Sequence, residues 1–140
     1  MRRLAFLAVL AVGLAACGGS GGSKSSLKMT FGLSGGTMMP YSITIAPNRA
    51  VTAQGNPPFG KPAGNEDVLV ILTSATEAEL SGLVQNGVAK LRSEQCPGTS
   101  PDESSMFITA LGRTVTVRGG CEPGFTMLWG KLARAVGLHQ

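Results

Sequence analysis

Apolar and polar residues alternate along several short stretches of this chain and recur at helical spacing along two longer ones. From Leu27 to Leu33, Leu27, Met29, Phe31 and Leu33 alternate with Lys28, Thr30 and Gly32, the period-two pattern of a half-buried strand. Ser34-Gly35-Gly36 ends it. Tyr41 to Ile45 alternates again, Pro47-Asn48-Arg49 has turn chemistry, and Ala50 to Ala53 is short and β-prone, so the three together predict a hairpin. Gly55 to Asn65 carries Pro57, Pro58, Pro62 and three glycines, which predicts an irregular loop. Val68 to Leu72 suits a short strand or the lead-in to a helix. Thr76 with Glu79 three residues on has the capping-box pattern, and Leu80, Leu83, Val84, Val88 and Leu91 follow at helical spacing. Gly82 and Gly87 weaken that helix by about 1 kcal/mol each relative to Ala. Lys90 and Arg92 fall at its C-terminal end, where the helix dipole favours cations.

Beyond the polar run from Cys96 to Ser105, Met106 to Leu111 and Arg113 to Arg118 flank Gly112 as a second hairpin, with Phe107, Val115 and Val117 as its expected core side chains. Pro123 opens a last amphipathic stretch whose stripe is Phe125, Leu128, Trp129, Leu132, Val136 and Leu138. The expected fold is α+β: one small domain, an antiparallel sheet with two helices on one face, in the order β-β-(β)-α-β-β-α.

The first residues change the picture. Met1-Arg2-Arg3 is a cationic head, Leu4 to Leu14 an apolar run, and Leu14-Ala15-Ala16-Cys17 closes it with small residues, the layout of a secretory signal. The run falls short of the roughly 20 residues that span a hydrocarbon core. The tetrapeptide resembles the lipobox of bacterial lipoproteins. That resemblance implies a diacylglycerol thioether on Cys17, cleavage before it, and a location in the cell envelope, on the extracytoplasmic side of a membrane. An ordinary secretory signal with Cys17 near its cut is the plainer alternative. Gly18 to Ser23 is a flexible polar stretch and reads as a tether, and several acyl chains at one cysteine give the stable anchoring that one chain does not. The expected parts are a signal peptide at 1–16, the lipidated Cys17 and its tether at 17–26, and an exported domain at 27–140.

Composition then narrows the chemistry. The formal charge of +4 includes Arg2 and Arg3, so loss of the leader leaves +2, and the remaining cations are scattered without a basic run interleaved with aromatics. Nucleic acid is not an expected partner. Cys96 and Cys121 are the thiols left once Cys17 is acylated, and export places them where cysteine pairs oxidise. A disulfide between them closes a loop of about 25 residues, for which the chain-entropy estimate is roughly 3 to 4 kcal/mol. A redox or metal role would want a C-x-x-C spacing or a nearby histidine.

The single histidine is His139, next to the last residue, which leaves no support for a Ser-His-Asp or Cys-His arrangement or for a zinc site. Glu66-Asp67 and Asp102-Glu103 are the carboxylate pairs a general acid-base route would need, and both lie in polar runs where solvated charge is the expectation. Met38-Met39, before Pro40 and Tyr41, can be read three ways: as a soft copper site lacking His or Cys beside it, as loop or core packing, or as adaptable contacts for a partner. On the last reading Ser34, Gly35, Gly36, Met38 and Met39 are the candidate partner-binding residues. No catalytic residue, cofactor or metal is expected.

The strand ending in Ser34-Gly35-Gly36, the strand Tyr41 to Ile45, the helix around Leu80 to Leu91, the pair from Phe107 to Val117 and the closing helix with Leu128 and Leu132 together resemble emfourin-like proteins. The resemblance implies a small α+β proteinaceous inhibitor of thermolysin-like metalloproteases. Separately from it, the loop Ser34 to Pro40 has the length and composition to enter a protease cleft. The chain departs from that pattern in Cys96 and Cys121, in its Pro/Gly-rich loop and in its tether. Three functions are therefore carried forward: first a non-enzymatic binding module held on the membrane through Cys17, with an envelope component as partner; next an inhibitor with a protease as partner; and last a hydrolase using the loop carboxylates Glu66, Asp67, Asp102 and Glu103.

Overall fold

Strand alternation, helix caps and two tight turns fix the local structure, seen in a computed structural model that describes residues 27–58 and 68–138. The leader, Cys17 and its tether, most of the Gly55 to Asn65 loop, Glu66-Asp67 and His139 lie outside the described residues. The strands are β1 (Met29–Ser34), β2 (Tyr41–Ile45), β3 (Ala50–Gly55), β4 (Val68–Ile71), β5 (Glu94–Gln95), β6 (Ser105–Ala110) and β7 (Arg113–Arg118). The helices are α1 (Ser74–Gly87), followed by a 3-10 turn at Val88–Lys90, and α2 (Pro123–Ala135).

The strands form one sheet in the order β4-β3-β2-β1-β6-β7-β5. Every pairing is antiparallel except that of β5 with β7. The fold is thus α+β as expected, with four strands rather than two or three before α1 and with β5 added at one edge. The hairpin turns carry the backbone that tight connections demand. Asn48 Oδ1 accepts the Ala50 N–H at 3.1 Å, and Leu111 and Gly112 both have positive φ, at 56° and 71°. That pair of left-handed residues matches the right-handed twist of the strands it joins.

One face of the sheet is apolar. Met29 pairs with Ile45 and Ala110, Phe31 with Ile43 and Ile108, and Ile45 with Val51, and all of these are buried in a single cluster with Leu80, Val84, Phe125, Leu128 and Leu132 of the helices. Trp129 of α2 sits on this core, its ring edge-on to Phe31 with centroids 5.9 Å apart. The other face is polar: register places Thr52, Thr44, Thr30, Thr109 and Thr114 in one row across five strands. Within the row, the hydroxyls of Thr30 and Thr44 lie 3.0 Å apart and those of Thr109 and Thr114 2.9 Å.

Four sequence expectations are corrected. Phe107 is not a core side chain: it pairs with Gly32 and Thr116 on the polar face, and Ile108 and Ala110 fill the core from β6. Apolar residues occupy both parities of that strand, so alternation alone did not choose between them. Secondly, Thr76 does not cap α1. Thr73 does, its hydroxyl accepting the Thr76 N–H at 3.1 Å, because Thr73 holds the extended backbone that an N-cap requires. Thirdly, α1 ends at Gly87, short of Lys90 and Arg92. The carbonyls beyond it are met instead by Arg113 of β7, which donates to Ala89 O at 2.9 Å and Leu91 O at 2.6 Å. Lastly, Glu94–Gln95, with no strand pattern, forms the parallel edge β5.

The disulfide is present. Cys96 and Cys121 are bonded with their Cα atoms 5.5 Å apart, and the Cys121 N–H donates to Cys96 Sγ at 3.0 Å. The bond ties the end of β5 to the segment entering α2, whose N-cap is Glu122, the carboxylate accepting the Phe125 N–H.

Candidate functional site

The connection between β1 and β2 is exposed but braced. Gly35 and Gly36 take φ of 66° and 72°, turning the chain onto the 100–104 segment. There the Thr37 N–H donates to Asp102 O at 2.9 Å and the Ser104 hydroxyl donates to Gly35 O at 2.9 Å. A Cβ at position 36 would lie 2.5 Å from Ser104 N and 2.6 Å from Asp102 O, so the approach needs glycine both for its φ and for its lack of a side chain.

Held this way, the loop presents Met38 and Met39, 62% and 66% exposed. Met39 is steadied by Asn56, whose side-chain amide donates to its Sδ at 2.9 Å. Beneath them a recess of about 450 Å³ opens at the end of the core. Its walls are Leu33 of β1, Tyr41 of β2, Met106 of β6 and Trp129 of α2, with Met38 and Met39 at the mouth. Burial pushes the Tyr41 hydroxyl's pKa up from its ordinary value, so at neutral pH it stays a phenol.

Trp129 is 4% exposed, and its Nε1–H is the one buried side-chain polar atom without a hydrogen-bond partner among the described residues. A buried donor left unpaired costs on the order of 1 to 3 kcal/mol, so such groups are rare and call for an explanation. Apart from Asn56 and the Tyr41 hydroxyl, the recess is lined by apolar and thioether side chains, suited to an adaptable apolar contact.

Of the residues singled out from sequence, Met38 and Met39 line the recess, whereas Ser34, Gly35 and Gly36 build the turn that carries them. Leu33, Tyr41, Met106 and Trp129 were missed as site residues. Trp129 was read as core, which it is; no sequence signal marks its indole as unpaired. Asp102 and Glu103 are exposed, Asp102 contributing its backbone carbonyl to the brace. No group of three or more metal-ligating side chains exists among the described residues, and none of their helices is long and apolar enough to cross a membrane.

A second, larger groove of about 650 Å³ runs between α1 and α2. Gly82 and Gly87 of α1 and Gly124 of α2 line it, so missing side chains account for its depth. No unpaired polar atom marks it.

Comparisons with protein-family models, with curated proteins and with solved structures find no match for this chain.

Proposed function

We propose that this chain is a lipid-tethered, non-enzymatic binding module of the bacterial cell envelope, and that the recess under the Met38-Met39 loop takes an apolar group of its partner. The sequence supports the tether through Leu14-Ala15-Ala16-Cys17 and the Gly/Ser stretch after it. The observation that carries the binding reading is the recess of about 450 Å³ at the end of the core, lined by Leu33, Tyr41, Met106 and Trp129 beside the exposed Met38 and Met39. An apolar side chain of a partner would fill the space, with Met38 and Met39 as adaptable contacts around it.

Trp129 is the chain's single tryptophan, so it reports on its own site. Affinity capture from envelope extracts with the full-length lipoprotein should retain a partner that Met38→Asp with Met39→Asp loses, and the recovered partner should shift the tryptophan emission. Capture of nothing above background, or capture indifferent to both substitutions, would count against the module. Intact-mass measurement of natively produced protein tests the anchor separately: an unmodified thiol at Cys17 removes it.

A second reading, inhibition of a thermolysin-like metalloprotease, draws on the emfourin-like resemblance and on one observation: the loop carrying Met38 and Met39 projects, braced at its base by the Thr37 and Ser104 hydrogen bonds. Preorganised exposed loops suit cleft entry, because little ordering remains to be done on binding. Protease activity unchanged at micromolar concentrations of the protein would reject it.

A further inference from the structure

Among the described residues, the β4 edge of the sheet has no strand beside it and departs most from what a solitary exported domain should expose. Val68, Leu69, Val70 and Ile71 are 54%, 40%, 41% and 64% exposed, four consecutive large aliphatics with no charge among them. Soluble proteins blunt sheet edges with charges, prolines or very short strands, because an uncovered apolar edge is a template for another strand. The opposite edge obeys that rule: β5 has two residues, Glu94 and Gln95, both exposed and polar. The β4 edge is modified only by a shift in register between Val51 and Thr52, which leaves Leu69 without a partner on β3.

We infer that β4 is a self-association strand, pairing antiparallel with β4 of a second copy of this chain to join the two sheets. Three features favour a copy over a foreign strand. An uncharged run meets its own two-fold image without like-charge repulsion, and a two-fold contact is closed, so it yields a dimer rather than a filament. The backbone is also ready. The Leu72 N–H bonds Arg49 O at 3.0 Å, so by the alternation of an antiparallel ladder Ile71 turns its own N–H and C=O outward. Val70 and Ile71 keep regular register with Val51 and Ala50, giving a straight stretch beyond the shift. The third feature is scale. Four residues a side bury well under the roughly 1,000 Å² that a free-standing interface needs, so the pairing calls for high local concentration, which copies tethered to one membrane provide for each other. In that last respect the inference rests on the tethered reading.

The experiment uses the full lipidated protein, isolated from a producing bacterium, labelled with donor or acceptor dye and reconstituted at low density in phosphatidylcholine vesicles. Flotation of the vesicles reports anchoring, and energy transfer between copies reports pairing. Transfer should exceed that of random mixing, and Val70→Lys should weaken association roughly tenfold or more by setting like charges together. Met127→Lys, which puts the same charge on an exposed apolar position of α2, should leave it intact. Random-mixing transfer from protein that floats overturns the inference while sparing the anchor. So does protection of the outward Ile71 amide on vesicles without transfer, since lipid or a foreign strand would then cover the edge. Protein that does not float removes the anchor. Sedimentation at millimolar concentration then decides the pairing, a monomer overturning it and a dimer sensitive to Val70→Lys sustaining it.

Discussion

The two edges of the sheet are secured in opposite ways. At the β5 edge a two-residue polar strand is held by a disulfide from Cys96 to Cys121 and by the Ser93 hydroxyl, which accepts the Thr116 N–H at 3.0 Å. Close by, Arg113 clamps the carbonyls that follow α1. At the β4 edge four aliphatic residues stand in solvent, and the strand is joined to the rest through its ladder with β3 and the buried Leu72. One edge relies on covalent and polar pins and presents nothing to associate with. The other, among the described residues, lacks a covalent pin, is held near its end by the Arg49 guanidinium donating to Ser74 Oγ at 2.8 Å, and presents an apolar surface. A small domain therefore need not treat its two sheet edges alike: closure at one frees the other for contact.

The comparison is sharpest under reduction. Replacing Cys96 and Cys121 together with Ser should lower unfolding stability by roughly 3 to 4 kcal/mol, read as a fall in the denaturant midpoint, and a loss under about 1 kcal/mol would show that the β5 edge does not need its covalent pin. Arg113→Ala should cost about 1.5 kcal/mol, because it leaves carbonyls after α1 without their charged donor. Its measure is the same midpoint, with faster amide exchange in the 88–91 turn. Leu111→Asn, at φ 56° in the β6–β7 turn, should stabilise by about 1 kcal/mol, since asparagine accepts the left-handed region more readily than leucine. On the β4 side, Val70→Lys should change stability by no more than about 1 kcal/mol, because the side chain, though across from the core residue Val51, lies at the sheet edge and is 41% exposed. A large loss there would mean that the edge is structural and would erase the contrast.

The smallest effect concerns pH. The Tyr41 pKa is raised from the model-compound value of 10.0 by burial, so the folded protein holds its proton after the unfolded chain has released it. Stability should be level below about pH 10 and decline as pH rises from there toward the folded-state pKa, because the unfolded state then binds fewer protons. Tyr41→Phe should flatten that slope in denaturant midpoints taken from pH 8 to 11.

Legibility from sequence followed locality. The β2–β3 hairpin was readable because alternation and the Pro47-Asn48-Arg49 turn lie within fifteen residues of one another. The stripe of α2 was readable because Phe125, Leu128, Trp129 and Leu132 repeat at helical spacing. The face taken by Phe107 was not, since both parities of β6 carry apolar side chains and the neighbour across from it, Gly32, is 75 residues away. Nor was β5: two polar residues become a strand only because β7 lies alongside. In the candidate site, Met38 and Met39 stood out as an uncommon pair, but Tyr41, Met106 and Trp129 join them through three separate elements, and that meeting has no signature along the chain.

What this sequence determines by itself is therefore what depends on near neighbours: strand and helix periodicity, turn positions, the α+β class, and the cysteine pair available for oxidation. Tertiary structure alone decided which edge is pinned and which is bare, which side of β6 faces the helices, and that the indole of Trp129 is buried without an acceptor. Each of these is a matter of what lies across from a residue, and contacts between distant segments are settled only when the whole core packs at once.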